Sequence, residues 1–297
     1  MEQIRKKTVL ANLALWGTAI IWGYGFLAGK SALTGFSPFT VLTFRFLGSA
    51  VFICIIFFKS FQHFTPQCCK YGMILGFLQF VAQALQLIGL QYTTPGKQAF
   101  LVASYVVFVP FLAWLLLRQT PRRKDLFSAV LTIWGLALIS LQGDLSINLG
   151  DCLSIGHAVV FAVQIVLLER FIQQSNPVQI TFFQCLCAGI FSALAAFFTE
   201  PAPVFAWNEA LGGVAYLILF NTVAATLLQN FGQKYTSGSS AAVILSMQSV
   251  FGFLFSAVFS QEPVTGRILL GCFLVFFAAI FSKLNLREFR AAVFFRR

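Results

Sequence analysis

Lys70–Pro121 reads KYGMILGFLQFVAQALQLIGLQYTTPGKQAFLVASYVVFVPFLAWLLLRQTP. It contains two long apolar runs, which are separated at Tyr92–Gly96, and a basic segment follows the second run. A helix rises about 1.5 Å per residue, so about twenty residues are enough to cross about 30 Å of hydrocarbon. The stretch therefore predicts two transmembrane helices joined by a short turn.

The composition extends this prediction to the whole chain. Of its 297 residues, 59% are hydrophobic and 10% are charged, and the mean hydropathy is +0.85. These values are typical of a membrane protein and not of a soluble domain. We expect an all-α membrane protein with ten transmembrane helices, over approximately Val9–Ala28 and residues 38–58, 71–91, 97–117, 125–142, 150–169, 178–198, 210–232, 238–260 and 265–284.

The net charge of +11 would indicate a nucleic-acid-binding protein only if the basic residues lay together on a folded, water-exposed face. Instead they lie in the short gaps between apolar runs, so nucleic acid is not an expected partner. If the N-terminus is cytoplasmic, sixteen of the 20 Lys and Arg lie on that side, Lys30, Lys97 and Arg267 lie outside, and Arg45 lies within a run. Cytoplasmic loops carry an excess of Lys and Arg, so we expect both termini in the cytoplasm.

The two halves of the chain repeat each other. Gln86–Thr93 (QLIGLQYT) is followed 143 positions later by Gln229–Thr236 (QNFGQKYT). Each half, residues 9–142 and 150–284, has five expected helices, and residues 285–297 form a basic cytoplasmic tail. Because five is odd, the second half must cross the membrane in the opposite sense. Inverted five-helix repeats are typical of secondary transporters, which bind substrate between the repeats near the membrane midplane.

Polar residues at helical spacing within apolar runs are the candidates for a cavity wall. Gln79, Gln83 and Gln86 recur on one face of the third run, and their repeat positions in the eighth run are Thr222, Thr226 and Gln229. Hydrogen bonding between helices that only holds the bundle together is the alternative for each of them. The candidates for the substrate cavity are Trp22, Gln79, Gln83, Gln86, Tyr105, His157, Gln164, Asn221, Thr222 and Gln248.

Charged and titratable groups within the runs are few. Arg45 lies about 10 Å from the start of its helix, and it is a candidate for attracting a substrate carboxylate, for gating, or for a structural role. His157 is a candidate proton carrier or a packing residue. Glu169, at a helix end beside Arg170, is expected to form a surface pair, so coupling through a buried carboxylate is disfavoured.

Enzyme and metal signatures are absent from the sequence. The seven cysteines lack paired C-x-x-C spacing, and Gly29–Ser31 resembles the end of a phosphate loop but has Tyr24 where the first glycine is required. No metal, cofactor or catalytic residue is expected. A membrane-embedded enzyme and a channel are the alternatives outside carrier function.

Several short motifs, in order and repeated, resemble the EamA-type pattern of the drug/metabolite transporter superfamily. They are Trp22–Gly23, Ser37–Pro38 with Arg45–Phe46, Leu90–Thr93, and Ser260–Pro263. The resemblance covers nearly the whole chain. One departure is Thr120–Pro121, where the family often has Glu-Pro, so the resemblance does not imply a role that needs a symmetric pair of acids.

The resemblance implies a ten-helix, inverted-repeat carrier of the cell inner membrane. We expect export of small metabolites, with amino acids or related compounds as the first candidates, by alternating access. The alternative cargo is that of a multidrug or nucleotide-sugar carrier. The expected partners are a small-molecule substrate and the lipid bilayer, and a homodimer is left open.

Overall fold

The computed structural model describes residues 2–62, 65–93, 95–140, 148–203, 209–259 and 265–281. Throughout this part, the regular structure is helical and no strand occurs. The helices are α1 (Glu2–Ala32), α2 (Pro38–Ile56), α3 (Pro66–Gly89), α4 (Pro95–Ala103), α5 (Tyr105–Leu117), α6 (Arg123–Ser140), α7 (Leu149–Phe171), α8 (Pro177–Thr199), α9 (Glu209–Tyr216), α10 (Ala225–Lys234), α11 (Gly238–Leu245), α12 (Gln248–Phe259) and α13 (Gly266–Phe281). A π-helical segment, Leu217–Ala224, joins α9 to α10 without a break.

Eight helical segments of the described residues are long and apolar enough to cross a membrane. They are Lys6–Ala32, Pro38–Ile56, Pro66–Gly89, Gln98–Leu117, Leu149–Gln174, Pro177–Thr199, Glu209–Lys234 and Gly238–Phe259. The apolar helix α13 is shorter, and α6 begins with three charged residues, Arg123–Asp125. The protein is thus a multi-pass, all-α membrane protein. The expected basic tail, residues 285–297, and the Ser260–Pro263 motif lie outside the described residues.

The helices differ from the expected runs in two places where serine hydroxyls bind backbone carbonyls. The fourth run is broken at Ser104, whose hydroxyl donates to Leu101 O over 2.5 Å. The ninth run is broken at Ser246–Met247, and the Ser246 hydroxyl donates to Val243 O over 2.7 Å. A hydroxyl that competes for a backbone carbonyl loosens a helix locally, which hydropathy alone does not reveal.

Small residues let the helices of the two halves approach closely. A Cβ atom on Gly76 of α3 would lie 2.5 Å from Gln184 O and 2.7 Å from Cys187 Cβ of α8. A Cβ atom on Gly135 of α6 would lie 2.7 Å from Gly271 O of α13. Without a hydrophobic force between helices in lipid, such close van der Waals contact is a main source of their association.

Equivalent positions of the two halves make equivalent contacts. Gly17 of α1 lies against Leu228 of α10, and a Cβ atom there would be 3.5 Å from its Cδ1. Gly156 of α7 lies against Leu85 of α3, and the corresponding distance is 3.4 Å. Gly156 follows Gly17 by 139 positions, and Leu228 follows Leu85 by 143. The contact between α1 and α10 thus has a counterpart in the contact between α7 and α3.

Contacts between helix ends define the two ends of the bundle. At one, here called the Ala32 end, the Ser31 hydroxyl donates to Glu209 O over 3.0 Å, and Phe39 N donates to Glu200 Oε1 over 2.7 Å. At the other, the Lys234 end, Gln173 Nε2 donates to Lys234 O over 3.1 Å. The contacts at the Ala32 end join elements of the two halves, whereas the Gln173–Lys234 contact joins two elements of the second half.

Candidate functional site

A cavity of about 540 Å³, counting the space that opens to solvent, lies in the half of the bundle nearer the Ala32 end. Its wall comes from α1, α2, α3, α4, α7, α12 and the π-helical segment, and therefore from both halves of the chain. The lining residues are Trp22, Gly25, Phe26, Gly29, Arg45, Gln79, Gln83, Gln86, Val102, His157, Phe161, Leu217, Asn221 and Gln248.

The cavity is closed toward the Lys234 end by fully buried side chains. Thr18, Gln164, Asn230 and Gln233 have no solvent-exposed surface. The Thr18 hydroxyl lies 3.0 Å from Ala14 O of its own helix and 3.2 Å from Ala225 O, so it places α1 in contact with α10. The site is consequently closed toward the Lys234 end and is not a continuous pore.

Arg45 is held in the cavity wall by three neutral oxygen atoms. Its Nε donates to Thr222 Oγ1 over 2.7 Å. One terminal nitrogen donates to Gln83 Oε1 and the other to Asn221 Oδ1, each over 2.8 Å. The side chain is 8% exposed. Arg45 thus brings a buried positive charge to the cavity. Its three partners accept hydrogen bonds but are neutral, so they do not compensate the charge.

Gln79 receives hydrogen bonds from behind the wall. Gln164 Nε2 of α7 donates to Gln79 Oε1 over 2.5 Å, and Gln184 Nε2 of α8 donates to the same oxygen over 3.1 Å. Gln184 is the repeat counterpart of Arg45. The position that carries the buried charge in the first half therefore supports an amide of the cavity wall in the second.

His157 contacts a backbone carbonyl of the facing half. Its Nδ1 lies 2.8 Å from Ala82 O, and because a carbonyl only accepts, Nδ1 carries the proton and donates. In the neutral ring Nε2 is then an acceptor. The ring stacks on Phe161 at 5.5 Å between centroids, and Phe161 meets Trp22 edge-on at 5.7 Å. His157 therefore joins the polar wall to an aromatic one.

The π-helical segment supplies a free backbone acceptor to the site. Ala225 N donates to Phe220 O and Thr222 O, and so does not bond to Asn221 O. Trp22 Nε1 donates to that carbonyl over 3.1 Å. A π-helical turn inside a helix is commonly found at functional sites. Here it positions both the Asn221 side chain and the Trp22 indole.

The structure brings most of the sequence-predicted residues to the cavity. Those that line it are Trp22, Arg45, Gln79, Gln83, Gln86, His157, Asn221 and Gln248. Tyr105, Gln164 and Thr222 are buried behind the wall, where they bond to Gln248, Gln79 and Arg45 respectively. Helical periodicity identifies the side of a helix that faces a neighbour, but it does not distinguish the wall from the layer behind it.

Two other expectations from the sequence need correction. Glu169 does not form a simple surface pair with Arg170, because its Oε2 accepts from Gly238 N over 2.8 Å at the start of α11. Gln229, a member of the expected stripe of the eighth run, does not line the cavity and donates to Gln233 Oε1 over 3.1 Å. Both groups serve contacts nearer the Lys234 end.

Sequence reasoning missed the small and apolar part of the wall. Gly25 and Gly29 both line the cavity. A Cβ atom on Gly25 would collide with the Asn221 amide, so this glycine is required for Asn221 to occupy its position. Phe26, Val102 and Leu217 carry no signal that distinguishes them from other apolar residues of the runs.

The described residues contain no group of three or more His, Cys, Asp or Glu that could hold a metal ion. All seven cysteines are free thiols. What the site offers chemically is an arrangement of amides, aromatic rings, one imidazole and one guanidinium, which suits recognition of a ligand.

Comparison with known proteins places the chain among transporters. The sequence model of the EamA-like transporter family matches residues 9–141 and 148–284. The chain is 34% identical over 282 residues to an uncharacterised transporter of Archaeoglobus fulgidus, with 94% of this chain and 87% of that protein covered. It is 25% identical to the uncharacterised transporter YyaM of Bacillus subtilis, with 82% and 84% covered. It is 24% identical to Protein PecM of Dickeya dadantii, with 70% and 71% covered.

The fold is also similar to that of a protein known from a crystal structure. The TM-score is 0.79, and the similarity covers 94% of this chain and 98% of the other. The sequence identity is 17%, so this similarity concerns the fold alone.

Proposed function

The chain belongs to the EamA-like transporter family, is a transporter and not an enzyme, and on that premise we propose that it exports small metabolites by alternating access. Amino acids or related compounds are the proposed cargo. The observation that carries the proposal is the polar cavity inside an otherwise apolar bundle, lined from both halves and closed toward the Lys234 end.

The repeated contacts support a ten-helix architecture made of two inverted five-helix repeats. The eight membrane spans are complemented by α6 and α13, which occupy the fifth and tenth places and pack against each other through Gly135 and Gly271. The matched contacts of Gly17 and Gly156 are those expected of a pseudo-two-fold axis in the membrane plane. In alternating access, the two halves would rock relative to each other around the cavity, so that the contacts at its two ends open and close in turn.

The distribution of Lys and Arg supports an orientation with both termini in the cytoplasm. In that orientation the Ala32 end faces outward, so the cavity lies in the outer half of the bundle, and the buried side chains between it and the Lys234 end lie on the cytoplasmic side. The proposed location is the cell inner membrane. A second copy of the chain is the proposed protein partner. The mass of the detergent-solubilised particle tests this, because it distinguishes one chain from two.

The chemistry of the wall favours an amino-acid-like cargo over a drug or nucleotide sugar. Trp22 and Phe161 offer aromatic surface, Arg45 offers a positive charge, and His157 Nε2 offers an acceptor for an ammonium group. A nucleotide sugar carries at least two negative charges, whereas Arg45 is the single cationic residue of the lining that the structure describes. The amides of Gln79 and Gln83 would bind the polar groups of the ligand.

Counterflow in proteoliposomes tests the proposal. Vesicles containing the full chain are preloaded with unlabelled amino acids or other metabolites, and uptake of the labelled compound is followed with and without a pH gradient. We expect counterflow for one chemical class without a requirement for the gradient. The absence of counterflow for every compound contradicts the proposed cargo.

A pair of variants links the transport to the cavity. We expect Gln79→Ala and Gln83→Ala to change the counterflow kinetics at equal expression, whereas Gln91→Ala, on the exposed surface at the end of α3, should not. Unchanged kinetics in both cavity variants contradict the assignment of this cavity to the transport path.

A further inference from the structure

We propose that Arg45, Gln79, Gln83 and Asn221 form a hydrogen-bond donor face that makes the cavity a receptor for a small carboxylate. This proposal names the chemical group that a ligand of the cavity must carry. It rests on the proposed function for the claim that the bound ligand is then transported. It excludes simple amines and cationic drugs as cargo. It follows from the direction of the hydrogen bonds in the wall.

Arg45 sets the orientation of two amides. A guanidinium has five N–H donors and no acceptor, so the atoms that face it at 2.8 Å, Gln83 Oε1 and Asn221 Oδ1, must be the amide oxygens. The amide nitrogens of Gln83 and Asn221 therefore point away from Arg45. Both residues line the cavity, so each amide presents N–H groups to it.

A chain of hydrogen bonds that begins at a backbone carbonyl sets the orientation of Gln79. The Thr181 hydroxyl donates to Pro177 O over 2.7 Å, so its oxygen accepts from Asn230 Nδ2 over 2.7 Å. The same nitrogen lies 3.5 Å from Gln184 Oε1, which leaves Gln184 Nε2 to donate to Gln79 Oε1 over 3.1 Å. The Gln79 oxygen is thus used behind the wall, and its nitrogen remains for the cavity.

The donor face is available to a ligand. In the described part of the chain, the amide nitrogens of Gln79, Gln83 and Asn221 have no acceptor, and none of them is among the buried polar atoms sealed from solvent. Arg45 uses three of its five N–H groups on Thr222, Gln83 and Asn221, which leaves two. No Asp or Glu occurs among the lining residues that the structure describes.

A carboxylate matches this face. It is acceptor-only when ionised, can accept from a guanidinium and amides at once, and brings one negative charge to the one positive charge of Arg45. An alkylammonium group would instead place donors against donors beside a like charge. His157 Nε2 is an acceptor and can bind an ammonium group. An amino acid therefore fits the cavity when its carboxylate binds the donor face and its ammonium group binds His157.

Binding of matched compounds to the purified full chain in detergent tests this proposal without any transport. The aromatic series is phenylalanine, 3-phenylpropanoate and 2-phenylethylamine, and the aliphatic series is leucine, 4-methylpentanoate and 3-methylbutylamine. Measured by titration calorimetry, at least one acid or amino acid should bind at least about tenfold more tightly than the amine of its series. An amine that binds as tightly as its acid, or no binding by any acid in either series, overturns the proposal.

Gln83→Glu is the decisive variant. It keeps an oxygen for Arg45 and replaces the N–H donors by a second carboxylate oxygen at the same place. We expect at least about a tenfold loss of affinity for the acid and improved binding of the amine, at an unchanged melting temperature. Gln91→Glu is the control, because it adds the same charge on the exposed surface at the Ala32 end. This variant should bind the acid and the amine as the unaltered protein does. Acid binding that survives in Gln83→Glu overturns the proposal.

The outcomes for the two proposals are separable. If amines are exchanged in proteoliposomes and acids are not, the transport function stands and the donor face is wrong. If acids bind in detergent and Gln83→Glu abolishes that binding while counterflow is absent for all compounds, the donor face stands and the proposed transport of this class is wrong.

Discussion

Thr18 and His157 occupy matching positions in the two halves, and each contacts the carbonyl oxygen of a matching alanine in the opposite half. The Thr18 hydroxyl lies 3.2 Å from Ala225 O, and His157 Nδ1 lies 2.8 Å from Ala82 O. Ala225 follows Ala82 by 143 positions and His157 follows Thr18 by 139. A hydroxyl thus lies in one half where an imidazole lies in the other, and from this match we predict a structural role for the His157 hydrogen bond.

His157→Asn should preserve this contact and remove the titratable ring. The Asn side-chain nitrogen can take the place of Nδ1, so we expect assembly of the bundle and a pH profile of counterflow like that of the unaltered protein. His157→Phe lacks the donor, and its loss should cost about 1 kcal/mol of stability, measured as a lower melting temperature. A pH dependence that disappears in His157→Asn contradicts this role and identifies the ring as a proton carrier.

Gly25→Ala should disturb the Arg45 site without touching Arg45. The new Cβ atom would collide with the Asn221 amide and displace the acceptor of one Arg45 hydrogen bond. Overpacking of this kind typically costs about 1–3 kcal/mol, and we expect slower counterflow together with a lower melting temperature. Gly212→Ala is the control, because a Cβ atom there meets nothing within 4 Å. Equal behaviour of the two variants contradicts the prediction.

Glu200→Ala should loosen the start of α2, the helix that carries Arg45. The Glu200 carboxylate accepts from Phe39 N and Thr40 N, each over 2.7 Å, and from the Thr40 hydroxyl over 2.8 Å. Loss of a charged helix cap typically costs about 1–2 kcal/mol. We expect a lower melting temperature in Glu200→Ala and a smaller change in Glu209→Ala, whose side chain is exposed in the first turn of α9. A larger effect of Glu209→Ala contradicts this assignment.

Single cysteines at exposed positions should report the orientation of the bundle. In a cysteine-free background, Gln91→Cys at the Ala32 end and Gln174→Cys at the Lys234 end are placed on opposite sides of the membrane. On intact cells, a membrane-impermeant maleimide should label Gln91→Cys, whereas Gln174→Cys should require permeabilised cells. The reverse pattern would place both termini outside and the cavity in the cytoplasmic half of the bundle.

Part of the candidate site could be predicted from the sequence, because polar side chains within apolar runs face other helices or a cavity and not the lipid. Gln79, Gln83 and Gln86 recur at helical spacing, and all three line the cavity. The periodicity did not separate Tyr105, Gln164 and Thr222 from the wall, since these residues share the same faces and lie one layer deeper. It also could not assign Gly25 to the site, because the need for a glycine arises from the Asn221 side chain that occupies the space.

The sequence by itself determined that this chain is a helical membrane protein with two related halves, because the length of the apolar runs and the repeated motifs depend only on residue order. The tertiary structure alone decided the partners of Arg45, because Thr222 and Asn221 lie 177 and 176 positions away in the chain. It also decided the π-helical segment that frees Asn221 O for Trp22. Periodicity indicates which side of a helix faces inward, whereas the meeting of specific atoms depends on how the two halves pack.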